Sequence, residues 1–119
     1  MLKMRKQVMM AFRRMMLEQF EDETVLHLRS AFPQKTEASS EQELRALVRK
    51  GIARADGYGV LLVDDVQHYL EYMVDYGEDF DRDPAVSWAG EILRTEGIDG
   101  TEKMDRLDDQ VELEQEGLA

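Results

Sequence analysis

Cysteine is missing from this 119-residue chain, and histidine, proline and tryptophan are scarce, with two, two and one copies. Without cysteine there is no disulfide, no thiolate nucleophile and no cysteine-based zinc or iron–sulfur site, and nothing calls for an oxidising compartment. A reducing cytoplasm is the expected location. Long apolar runs are also missing. Val8 to Phe12 gives an apolar stretch that Arg13 and Arg14 interrupt, shorter than the ~7–15 residues of a secretory signal core and far short of the ~18 expected of a membrane span. The sequence is therefore expected to be neither exported by that route nor embedded.

Positive charge is in short supply. The formal net charge is −11, which opposes nucleic-acid binding because neutralising phosphate requires a basic surface. The imbalance is uneven along the chain. Residues 1–20 hold Lys3, Arg5, Lys6, Arg13 and Arg14 against Glu18 alone, whereas residues 99–119 hold eight acids against Lys103 and Arg106. The length suits one domain over 1–119, burying roughly two-thirds of the unfolded surface.

What is present is helical periodicity. Leu2 to Phe20 contains no proline or glycine, and Met4, Val8, Phe12, Met15 and Phe20 recur at helical spacing. This predicts one long helix, with Glu21 to Phe32 either continuing it or bending from it until Pro33 ends it. Residues 33–39 read as a short polar connection. Ser40 and Glu43 form a capping box, followed by Leu44, Leu47, Val48, Ile52 and Ala55 on one face and closed by Gly57 and Gly59.

The apolar run Val60 to Val63 is not read as a strand. A lone strand has no partner for its backbone, and Leu62, Val66, Tyr69, Leu70, Met73 and Val74 continue at helical spacing to Gly77. Asp83-Pro84 opens a further helix that carries Trp88, Ala89, Ile92 and Leu93 and stops at Gly97. Asp99 and Glu102 cap a last helix bearing Met104, Leu107 and Val111, whose acidic end, 108–119, is expected to fray. The expected fold is all-α, a small irregular bundle of about five or six helices with a long N-terminal helix.

Chemical motifs are weak. Asp79-x-Asp81-x-Asp83 resembles the start of a calcium loop, but the sixth and twelfth positions hold Pro84 and Gly90 instead of glycine and an acid. Neither His27 nor His68 has a second nitrogen ligand at i+4. Asp64, Asp65 and Glu71 lack an accompanying nucleophile, and Gly57-Tyr58-Gly59 is too short to cradle a nucleotide. No catalytic residue, metal ligand or cofactor is expected.

Two surfaces stand out as partner-binding candidates. The first helix supplies Met4, Val8, Met9, Phe12, Met15, Met16 and Phe20, a soft apolar girth wider than one buried stripe needs. The helix is basic and amphipathic, so a membrane surface is an alternative, but the acidity of the rest argues against it. The second surface is aromatic and lies around Gly77, where Tyr69, Phe80 and Trp88 are expected in the core and Tyr72 and Tyr76 remain open as partner contacts.

The run Arg49-Lys50-Gly51-Ile52-Ala53-Arg54-Ala55, Tyr58-Gly59-Val60 and Asp65-Val66-x-x-Tyr69-Leu70-x-x-Met73 carries a resemblance. It continues through Tyr76-Gly77-x-Asp79-Phe80-Asp81, Pro84, Trp88-Ala89, Ile92-Leu93 and Lys103-Met104-Asp105-Arg106-Leu107. Over most of residues 24–107 the chain resembles small bacterial helical proteins encoded beside type VI secretion effectors and spike proteins. The resemblance carries over no catalytic residue, and the methionine-rich beginning departs from it. It implies an accessory role, as an adaptor or chaperone-like factor for an effector or its loading complex. The alternative is an immunity protein that uses its acidic surface to neutralise a toxin. The expected partner is another protein: effector, co-adaptor or toxin. A homodimer through the first helix is a further expectation, as is folding of the acidic last helix against the basic first one in the free protein.

Overall fold

The computed structural model describes residues 6–117, with side chains from Arg13 onward. Its elements are α1 (Lys6–Ala31), α2 (Pro33–Thr36), α3 (Glu41–Gly57), α4 (Val63–Tyr76), α5 (Ser87–Leu93) and α6 (Gly100–Gln115), with single 3-10 turns at Phe80–Arg82 and Pro84–Val86. The fold is all-α, and no strand occurs among the described residues.

α1 does not break at Glu21. The residues it buries, Glu21, Thr24, Val25 and Leu28, are spaced i, i+3, i+4 and i+7 and so form one face. Among the described residues this second half is the part rooted in the core, and residues 13–19 are exposed. The Cα radius of gyration is 16.0 Å, above the ~13.5 Å expected of a compact domain of this length.

Pro33 ends α1 as expected. Phe32 before it is extended, and Pro33 then starts the extra turn α2 where a plain connection was expected. Arg29 ties that turn down by donating to the carbonyls of Thr36 (3.1 Å) and Ser39 (2.9 Å).

The Ser40/Glu43 capping box is present in both directions, at 3.0 and 3.1 Å. Ser40→Ala is expected to cost about 1 kcal/mol, read as a lower urea midpoint with an unchanged slope; an unaltered midpoint would contradict this role. α3 buries Leu44, Val48, Gly51 and Ala55. Gly51 lets it approach α4 closely, because a Cβ there would overlap the Leu70 side chain. Buried Lys103 on α6 donates to the Tyr58 carbonyl at 2.7 Å, placing a cation at the negative C-terminal end of α3.

α4 begins at Val63, one residue later than the sequence periodicity implied. Leu61 and Leu62 lie outside the helix and are exposed. Val66, Tyr69, Leu70 and Met73 form its buried face. Gly77 ends it at φ 114°, which a side chain rarely adopts. Asp83 accepts from the Ala85 amide at 2.9 Å, but it caps the 3-10 turn that leads into α5. α5 stops at Leu93, four residues before Gly97.

α6 is capped by Asp99, which accepts from the Glu102 amide at 2.8 Å. It extends to Gln115, with Val111 packed against the core. Among the described residues its principal neighbours are α4 and α5; the basic residues Lys3 and Arg5, on which the expected pairing with the first helix rests, lie outside the described residues. Tyr69 of α4, Phe80 of the first 3-10 turn, Leu93 of α5 and Leu107 of α6 are fully buried members of one core cluster.

Candidate functional site

An open apolar groove of about 450 Å³ runs along the projecting part of α1. Arg13, Met16, Leu17, Gln19, Phe20 and Glu23 form one wall, and Ile52 of α3 with Leu61, Val63 and Val66 at the start of α4 form the other. Met16, Leu61 and Val63 keep 54%, 67% and 66% of their surface in water. That is a large apolar exposure to gather in one place.

The cause is local. The buried face of α4 begins only at Val66, and Asp64 and Asp65, suited to the positive end of a helix, occupy its first turn. The apolar residues just before them are left outside the core.

Charge is graded along the groove. Arg13 and Glu23 are ten residues apart on α1, about 15 Å along the axis, so one end is positive and the other negative. Gln19 donates to Glu23 at 3.2 Å and holds that end of the wall.

Glu21 fixes the wall in place from behind. Its buried carboxylate accepts from Arg49 Nε at 2.6 Å and Nη2 at 3.2 Å, and Arg45 Nη1 lies 3.6 Å away. Arg45 also donates to Asp22. These contacts raise the pKa of both arginines, chiefly through hydrogen bonding to Asp22 for Arg45 and to Glu21 for Arg49.

The structure distributes the expected partner-binding residues unequally. Met4 lies outside the described residues, as do the side chains of Val8, Met9 and Phe12. Met15 and Met16 are exposed, and Phe20 is half-buried in the groove wall.

Tyr72 requires a correction: it is buried in the core. Its hydroxyl donates to Asp108 at 2.5 Å and its ring stacks on His68, centroids 5.5 Å apart. Burial, then the bond to Asp108, pushes its pKa well up. Tyr76 is half-buried, edge-on to Trp88 at 5.9 Å. Its place is the rim of the core, and burial again raises its pKa. Tyr69 and Phe80 are core residues as expected, while Trp88 is only partly buried against them.

The carboxylates that imitate a calcium loop are each engaged by protein. Asp79 pairs with Arg54 at 2.7 Å, which lowers its pKa. Buried Asp81 accepts from the Tyr58 hydroxyl at 2.6 Å, and Asp83 caps a turn. His27 contacts Glu71 at 3.2 Å and His68 contacts Asp108 at 2.8 Å. Among the described residues no group of three or more such side chains is placed to hold a metal ion.

Sequence reasoning missed the second wall. Helical spacing puts Ile52 and Val66 in buried stripes, and Leu61 and Val63 belong to one apolar run. The Asp64-Asp65 pair is the available signal, since an acidic first turn marks the start of a helix and puts Leu61 and Val63 at its end, not in its buried stripe.

In comparisons with known proteins, no family model, no curated protein and no solved structure matches the chain.

Proposed function

We propose that the chain is a non-enzymatic, protein-binding accessory factor, adaptor or chaperone-like, acting in the cytoplasm. In this reading the groove beside α1 holds an amphipathic helical segment of a type VI secretion effector or of the complex that loads it. The observation that carries the binding role is the open apolar groove with Arg13 at one end and Glu23 at the other. A helix with apolar residues at i, i+3, i+4 and i+7 fits such a trough, and its terminal charges decide which way it lies. Methionine lets the wall adapt to the side chains it meets. The secretion context is supported by the resemblance over residues 24–107.

Co-expression with a type VI effector encoded beside the chain tests this. The wild type is expected to raise the soluble yield or secretion of the effector. Leu61→Asp with Val63→Asp, both at exposed positions, is expected to reduce that gain about tenfold, equivalent to about 1.4 kcal/mol of binding. An unchanged yield with the doubly substituted chain would exclude the groove. The net charge of −11 favours one second reading, an immunity protein laid over the basic cleft of a toxin. Rescue of growth against a lethal neighbour, with no gain in effector solubility, would replace the adaptor reading with that one.

A further inference from the structure

The wall that α1 contributes to the groove is self-complementary. Reversing the helix about Glu18 exchanges Arg13 with Glu23, Met16 with Phe20 and Leu17 with Gln19. The set maps onto itself: Met16 and Phe20 exchange one apolar side chain for another, Leu17 meets the amide of Gln19, and the two charges trade places. The sequence around this wall repeats the bias: residues 1–14 hold five bases and no acid, and residues 15–23 hold four acids and no base. Among the described residues, neither Arg13 nor Glu23 has an ion pair within its own chain.

We infer that the resting occupant of the groove is α1 of a second copy, lying antiparallel. In that arrangement Arg13 of each copy faces Glu23 of the other, twice over, and the Met16–Phe20 turns of the two chains pack across a two-fold axis. Such an isologous contact closes on itself and does not propagate into filaments. It covers Met16, Leu61 and Val63 in both copies at once. This inference rests on the groove being a docking site and adds its regulation: a client helix enters by displacing the second copy, so dimer and client exclude each other.

Sedimentation equilibrium on the full chain tests it. The wild type is expected to be a reversible dimer. Arg13→Glu alone and Glu23→Arg alone each turn two attractive pairs into two repulsive ones and should weaken the dimer about tenfold. The double variant, Arg13→Glu with Glu23→Arg, swaps the charges and should restore the dimer to within about threefold. Both positions are exposed, so circular dichroism should show all three variants folded. A wild type that stays monomeric, or a double variant as weak as the singles, overturns the inference. A monomer that still solubilises an effector would overturn self-association and leave the adaptor reading standing; a dimer rescued by the charge swap in a chain with no effect on effectors would do the reverse.

Discussion

Replacing Phe80 by alanine is expected to lower the unfolding free energy by about 3–5 kcal/mol, the range for a large ring removed from a packed interior. Phe80 belongs to no α-helix. It sits on a single 3-10 turn between Gly77 and Asp83, yet it is fully buried, with its ring 5.1 Å from Tyr69 and 5.7 Å from Tyr72, centroid to centroid. The turn has little backbone structure of its own, so the ring is what fastens this connection to α4. Domains of this kind have ~5–15 kcal/mol in all, and the substitution removes a large share. Urea denaturation followed by far-ultraviolet circular dichroism measures it. A loss below about 1 kcal/mol would show that the ring does not anchor the segment.

Leu28→Ala is expected to cost about 2–5 kcal/mol. Leu28 is fully buried and, among the described residues, is the last of the four that α1 buries. Neighbouring Leu26 is 70% exposed and serves as the control: Leu26→Ala should change stability by no more than about 0.5 kcal/mol. Equal losses at the two positions would mean that α1 is not rooted through the face containing Glu21, Thr24, Val25 and Leu28.

Local signals in the sequence translated well. The Ser40/Glu43 box and the Asp99 cap depend on atoms within three residues of one another, so short-range pattern is enough to find them. Pro33 and Gly77 act through the backbone alone, and both mark real boundaries. The buried stripe of α4 was legible for a different reason, because every apolar residue at helical spacing from Val66 to Met73 faces the same side.

What escaped notice depends on partners distant in sequence. In the sequence Glu21 marks only the point where the first helix continues or bends; its burial is set by Arg45 and Arg49, more than twenty residues later. Tyr72 carries a hydroxyl that suits a surface, but Asp108, thirty-six residues away, satisfies it inside. Charge alone suggests a place for the C-terminal helix beside the basic first helix, whereas among the described residues apolar burial of Met104 and Leu107 sets it on α4 and α5. Of the groove, the sequence showed only the α1 wall. The facing residues Leu61 and Val63 become a wall through the way α3 and α4 meet, which no single-helix period describes.

A helix held at one end is a lever. From Glu21 to Arg13 the exposed arm is about 12 Å long, so a tilt of about 10° at the fulcrum would move Arg13 by roughly 2 Å. The gape of the trough is therefore governed from its far end, by the arginine clamp on Glu21 and the seat of Leu28. Substitutions there would change what the trough admits without touching a residue that lines it.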